Sequence, residues 1–239
     1  MRREASQAER RSAAPVAPDS LDLATHGAQV WRGAALAYRA HLLDILAGLP
    51  ADQAGVRINA LPGLGVWLAP TGPIGALASH ARGAAVRPVR AILFDKTATT
   101  NWALGWHQDR TICVRDRVDT PGFGPWSIKA GLHHVAPPFD LLARMVTLRV
   151  HFDDVPATNA PLLIAPGSHR RGRVPVDEVA SVVAEYGSMA CLARAGDVWA
   201  CATPILHASD AATEPARRRI LQVDFSADTL PGGLEWLGI

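Results

Sequence analysis

Apolar positions along the 239-residue chain follow two rhythms. Over 28–48 they step by three and four. Trp31, Ala35, Tyr38, Leu42 and Ile45 then share one face of an α-helix, and Gly48 and Pro50 supply its stop. After Pro50 the rhythm changes. Short apolar runs, several of them β-branched, occupy 56–58, 65–68, 89–94, 111–114, 145–152, 162–164, 197–201 and 220–225. Pro-Gly turn signals at 121–122, 166–167 and 231–232 separate them. Many short strands with regular turns predict a sandwich or barrel. A second helix is expected over 177–186, stopped by Gly187. The predicted fold class is therefore mainly β with flanking helices, the first of which covers a sheet.

Length and composition narrow this picture. A chain of this size suits one domain and buries roughly 70–75% of its unfolded surface without staples. Apolar residues make up 49% and charged residues 19%, which is ordinary globular composition. Net charge is +2, with no long basic run after the N-terminal segment, so nucleic acid is a poor partner. Cys113, Cys191 and Cys201 are scattered, and an odd count argues against a disulfide framework. Reduced thiols and a cytoplasmic location are expected. No apolar run reaches the roughly 18–20 residues of a membrane span. Residues 1–20 are rich in Arg, Ala, Ser and Pro but lack the apolar core of a secretion signal. Their acid-poor character slightly resembles a transit peptide, but a disordered tail is the preferred reading. The expectation is a tail over 1–22 and a single domain over 23–239.

The sharpest chemical feature is Trp106-His107-Gln108-Asp109. In a strand, residues i and i+2 face the same way, so His107 and Asp109 would present an imidazole and a carboxylate to one point. Two His and one carboxylate on one face of an octahedral ion are the ligand set of non-haem iron(II) oxygenases. Alone, the spacing arises by chance in a chain with nine His. A second histidine adds weight: His207 ends an apolar run 98 residues beyond Asp109, enough chain for intervening strands to bring the two together.

Eleven residues after His207 comes Arg218, opening the run Arg-Arg-Ile-Leu-Gln-Val-Asp-Phe. A guanidinium fork can hold a carboxylate through two parallel hydrogen bonds, as the distal carboxylate of 2-oxoglutarate would require. Strand alternation groups Arg218 with Ile220, Gln222 and Asp224, a mixed set suited to a polar barrel interior. Arg219 falls with Leu221, Val223 and Phe225, an apolar set suited to packing under helices.

At these positions the chain resembles the phytanoyl-CoA dioxygenase family, over about 94–236. The matching stretches, in order, are Leu-Phe-Asp-Lys-Thr at 93–97, Asn101-Trp102 and Trp-His-Gln-Asp at 106–109. Next come Leu-Arg-Val-His-Phe-Asp-Asp at 148–154, Ala-Pro-Gly-Ser-His-Arg at 165–170, His-Ala-Ser at 207–209 and Arg-Arg-Ile-Leu at 218–221. The resemblance implies a double-stranded β-helix (jelly-roll, cupin-like) fold, iron(II), 2-oxoglutarate and O2. It implies His107, Asp109 and His207 as iron ligands, Arg218 as partner of the 2-oxoglutarate carboxylate, and Ser209 as a hydroxyl assisting it. Trp126 falls near a tryptophan that lines the co-substrate in relatives. Lys96, Asn101 and Trp102 would face co-substrate or substrate.

The implied reaction is oxidation of a small molecule with release of succinate and CO2. Halogenases of this kind carry a small residue in place of the carboxylate, so Asp109 favours hydroxylation. A 2-oxoglutarate-independent cupin-like metal enzyme and a non-catalytic ligand-binding barrel are the other classes. The first would not depend on Arg218.

Other conspicuous residues have plainer readings. His133 and His134 sit in an expected loop over 130–138, where adjacent side chains point apart. His169 follows a Pro-Gly turn, Asp153-Asp154 reads as a turn and edge feature, and His151 as structural. Arg170, Arg171 and Arg173 would suit the phosphates of a CoA substrate, or a solvated turn. No motif selects the substrate or the oligomeric state.

Overall fold

The computed structural model describes residues 17–51 and 53–239. Their helices are α1 (Leu23–His26), α2 (Arg39–Leu46), α3 (Gly65–Leu68), α4 (Pro73–Arg82), α5 (Phe139–Ala143) and α6 (Val179–Tyr186). Their strands are β1 (Ala28–Trp31), β2 (Gly55–Ile58), β3 (Arg87–Lys96), β4 (Leu104–His107), β5 (Ile112–Val114), β6 (Trp126–Lys129) and β7 (Leu132–Val135). The series continues with β8 (Val146–His151), β9 (Leu162–Ile164), β10 (Met189–Cys191), β11 (Val198–Ala202), β12 (His207–Ser209) and β13 (Arg218–Ser226).

A six-stranded sheet in the order β1-β11-β8-β13-β3-β2 faces a four-stranded sheet in the order β10-β9-β12-β4. These are the two walls of a double-stranded β-helix, and every strand pairing is antiparallel. A smaller sheet, β5-β7-β6, flanks them.

The long central strands are covered on both faces, and each face has its own chemistry. On β13, Leu221, Val223 and Phe225 join Leu148, Val150, Val198 and Ala200 in an outer core closed by Leu42, Leu46, Leu68 and Ile74 of the helices. The opposite face of β11, Trp199 and Cys201, packs between the walls against Leu162, Ile164 and Ala28. Burial on both faces explains why such strands read as continuous apolar runs. The other set on β13, Arg218, Gln222 and Asp224, turns into the barrel with Arg149 of β8 and with Arg90 and Lys96 of β3. The alternation expected of this strand is what the structure has.

Two elements differ from expectation. The helix predicted over 28–48 begins only at Arg39. Residues 28–31 instead form β1, paired with β11 through Ala28–Cys201 and Val30–Trp199. Tertiary pairing with an apolar neighbour overrides a local pattern that is also helical. Residues 65–68, expected as a strand, form the single turn α3. An apolar run of four residues carries no period long enough to separate the two states. His133 and His134, expected in a loop, lie on β7, with His134 fully buried.

The expected tail lies outside the described residues up to position 16. Of the remainder, Leu21 packs into the inner cluster with Trp199, and Asp22 caps α1 by accepting a hydrogen bond from the Thr25 amide (2.7 Å). No helix among the described residues is long and apolar enough to cross a membrane.

Candidate metal and co-substrate site

β4 and β12 are neighbours in the four-stranded wall, with His107 directly opposite His207. Their rings sit 4.3 Å apart, centroid to centroid. Asp109 lies just past the end of β4, so the strand delivers His107 and its extended continuation delivers the carboxylate. Among the described residues, His107, Asp109 and His207 form a group whose ligand atoms all lie within 4.8 Å of one another.

The donor chemistry of this group fits iron(II). His107 Nδ1 donates to the Gly105 carbonyl (2.7 Å) and His207 Nδ1 to the Ile205 carbonyl (2.9 Å). A carbonyl can only accept, so each ring keeps its proton on Nδ1 and offers the Nε2 lone pair. Such a bond on the far nitrogen is the usual way a metal-binding His is oriented. Burial pushes the His207 pKa down, toward the neutral form. Burial alone would raise Asp109, but Arg90 first and then the two histidines hold it below the usual carboxylate range. A neutral imidazole and an ionised carboxylate are the ligating states.

Two residues that sequence reasoning passed over position this group. Arg90 on β3 reaches Asp109 (3.3 Å) and Asp224 (2.6 Å), a buried bridge that steadies the carboxylate. Gln108, between the two candidate ligands, points the other way and is buried. Its amide donates to the carbonyls of Gly172 (3.0 Å) and Pro204 (2.9 Å), and its Oε1 accepts from the Val174 amide (2.9 Å). It thus brackets the strand end on three sides. Gln108→Ala would strand those groups at about 1–3 kcal/mol each. The expected result in urea melts is a loss of a few kcal/mol. Metal affinity should fall about 10–100-fold, as when an outer-shell partner is lost.

A cavity of about 380 Å3 opens beside His107, Asp109 and His207 and runs between the walls to Arg218. Arg218 is 2% exposed, and burial, then the charge of Arg149, press its pKa down to about 9, so it still carries charge at neutral pH. Its one hydrogen bond runs to the Ala160 carbonyl, and its Nε is buried without a partner among the described residues. Directly opposite on β3 stands Lys96, whose Nζ donates to the Trp102 carbonyl (2.6 Å) and lies 3.5 Å from Ser209 Oγ. The Trp102 ring stacks on the same ammonium at 4.2 Å. Burial, then Arg218 and Arg149, press the Lys96 pKa down to about 8. A candidate metal-ligand triad at one end and, at the other, buried cations with no carboxylate partner among the described residues suit a dianionic chelator.

The family model for phytanoyl-CoA dioxygenase (PhyH) matches residues 66–220, most of the chain, and covers both ends of this cavity. The chain belongs to the phytanoyl-CoA dioxygenase family. With that family it is an Fe(II)- and 2-oxoglutarate-dependent oxygenase, with O2 as the second co-substrate. No curated protein sequence matches it.

Solved structures show the same fold at low identity. EctD from S. alaskensis with bound Fe matches at TM-score 0.60 and 17% identity, over 86% of this chain and 74% of that one. The 2-oxoglutarate-dependent carbocyclase SnoK from nogalamycin biosynthesis matches at 0.60 and 19%, over 95% and 91%. HygX from Streptomyces hygroscopicus, with nickel and 2-oxoglutarate bound, matches at 0.56 and 14%, over 88% and 86%.

Of the residues that the family resemblance put near the co-substrate, Lys96 does not itself line the cavity but reaches lining Ser209 from opposite Arg218, and two others stand elsewhere. Asn101 clasps a loop: its amide donates to the Ala212 carbonyl (2.9 Å), and its Oδ1 accepts from the Ala212 amide (2.7 Å). It does not line the cavity, although its neighbour Trp102 does. Trp126 packs with Val118, Phe123 and Trp236 around the small sheet and does not line the cavity either. In its place the same strand, β6, brings Lys129 to the cavity wall.

Most of the remaining candidates have structural partners. Asp153 takes a two-pronged salt bridge from Arg219 (2.9 and 2.7 Å). Asp154 accepts from the Ala195 amide, and His169 reaches the Ala24 carbonyl (3.2 Å). His151 is buried with neither ring nitrogen partnered among the described residues, and burial pushes its pKa well down. Arg173 donates to the Pro137 carbonyl, and exposed Arg171 sits 3.8 Å from Glu185.

Proposed function

We propose that His107, Asp109 and His207 hold iron(II), that Arg218 holds the distal carboxylate of 2-oxoglutarate, and that the enzyme hydroxylates a small molecule in the adjoining cavity. The observation that carries this reading is the convergence of the three ligand atoms beside a cavity lined by a buried arginine that has no carboxylate partner among the described residues. Bound iron(II) would supply activation of O2 coupled to oxidation of 2-oxoglutarate to succinate and CO2.

The chain's own residues bind, orient and exclude water. Arg218 offers its fork to the distal carboxylate. Ser209 and Lys96 add a hydroxyl and an ammonium on the same side. Phe94, Leu104 and Leu162 give the cavity apolar walls that keep water from the reacting carbon. Arg90 keeps Asp109 ionised and in place.

A panel of metabolites scored by succinate release, with labelled O2, tests the reaction type. Labelled oxygen in the product supports hydroxylation. Succinate release with an unlabelled, cyclised or epimerised product contradicts it.

Lys96 adds a pH signature. Its charge is lost as pH rises through about 8, so affinity for dianionic 2-oxoglutarate should weaken above that point. In Lys96→Met the overall affinity should be lower and the fall centred near pH 8 should disappear, leaving only the later loss as Arg218 discharges near pH 9, in anaerobic titrations. A parental profile with no slope there contradicts the assignment.

A further inference from the structure

The cavity carries more positive charge than its metal and co-substrate can use. Among the described residues six lining side chains are cationic, Arg57, Arg90, Arg110, Lys129, Arg149 and Arg218, against one lining carboxylate, Asp109. Asp224, just behind the wall, pairs with Arg90. With iron(II) and the 2-oxoglutarate dianion in place, the negative charges of co-substrate, Asp109 and Asp224 are matched by iron, Arg90 and Arg218. Arg149, Arg57, Arg110 and Lys129 are left over. A guanidinium drawn out of water without a counter-charge is costly.

The register shows where a further anion fits. Arg57 on β2 pairs with Ile92, Ile92 with Gln222, and Gln222 with Arg149, so one row crosses the inner face of the large wall. Arg149 is engaged with the Gln222 side chain and lies close enough to His207 for its charge to depress that histidine's pKa. Arg57 ends the row on the edge strand. Its Nε is buried with no partner among the described residues. Arg110 is committed to the Val174 carbonyl, and Lys129 is exposed. Ile92, Phe94 and Leu104 add an apolar strip to the same cavity wall.

We propose that the organic substrate carries a carboxylate or phosphate group that seats on Arg57, with its carbon skeleton laid along Ile92 and Phe94 toward His107 and His207. The proposal rests on the oxygenase reading and adds to it the substrate's chemical class. Arg57 is a binding and specificity residue outside the metal-ligand set.

Calorimetry under argon tests it, on the full chain loaded with iron(II) and saturating 2-oxoglutarate. The probes are short-chain fatty acids, each beside its primary amide, with inorganic phosphate and glycerol 3-phosphate as a separate arm. One anion class should bind about tenfold or more tighter than the neutral amides, the worth of one charge-assisted pair. The arm that binds identifies the group. Arg57→Gln should erase that preference while 2-oxoglutarate affinity stays within about twofold. Arg57→Lys should retain phosphate better than carboxylate, because an ammonium lacks the fork. Its melting temperature, with that of the Gln variant, checks that both remain folded.

Equal binding of acids and amides, no anion binding, or an undiminished preference in Arg57→Gln would overturn the proposal. Failure of 2-oxoglutarate itself to bind would instead remove the oxygenase reading, a distinct result from the same titration.

Discussion

Arg218→Met is expected to lower 2-oxoglutarate affinity at least about 100-fold while leaving the metal-free protein as stable as the parent, or slightly more so. The first half follows from geometry. Arg218 is the buried guanidinium at the closed end of the cavity, and two charge-assisted hydrogen bonds to a carboxylate are together worth roughly 3 kcal/mol or more. A tenfold change in binding corresponds to about 1.4 kcal/mol. The second half follows from electrostatics. Arg218 has no carboxylate partner among the described residues and makes its hydrogen bond to the Ala160 carbonyl, while Arg149 repels it. A buried charge of this kind costs stability, and an apolar side chain of similar length relieves that cost. A residue kept for folding would show the opposite pattern. Urea melts and anaerobic titration of the same preparation separate the two.

Asp109→Ala is expected to remove metal binding and succinate production together. Loss of an outer-shell partner costs about 10–100-fold in metal affinity, and loss of a direct ligand should exceed that. Tight metal binding raises apparent stability by about 2.7 kcal/mol at a hundredfold excess over Kd. The parent should therefore melt at a higher temperature with iron(II) under argon, and Asp109→Ala should show no such rise. Arg90 keeps its shorter bridge to Asp224 in this variant, so the metal-free protein should still fold. A metal-dependent rise of parental size in Asp109→Ala would remove the carboxylate from the ligand set.

Much of the site was legible because its logic is local. His107 and Asp109 are two residues apart, and the alternation of β13 separates Arg218 from Arg219 without any knowledge of the neighbours. The strands that cross the core were legible as apolar runs. The rest depends on pairing across long sequence distances. Residues 28–31 look helical until β11 is placed beside them. Arg90, Arg149 and Arg57 read as solvated charges in isolation, because a strand with an ionic inner face has the same alternation as one facing water. Only the register that aligns Arg57, Ile92, Gln222 and Arg149 in one row shows that these charges point into the barrel. Gln108 was hidden by its neighbours: the ligand pattern around it drew attention, while its own three hydrogen bonds go to residues 64 to 96 positions away. Trp126 was misplaced for the converse reason, since a family position was carried onto a strand that turns its tryptophan toward the small sheet.

The most direct test of the central claim is an anaerobic titration of the full chain with iron(II) and 2-oxoglutarate, followed by visible absorption. A charge-transfer band is expected that requires both components, saturates at one equivalent of each, and is absent in Asp109→Ala. In Arg218→Met the band should saturate only at far higher 2-oxoglutarate. Iron binding without any band on adding 2-oxoglutarate, or a band unchanged in both variants, would contradict that claim.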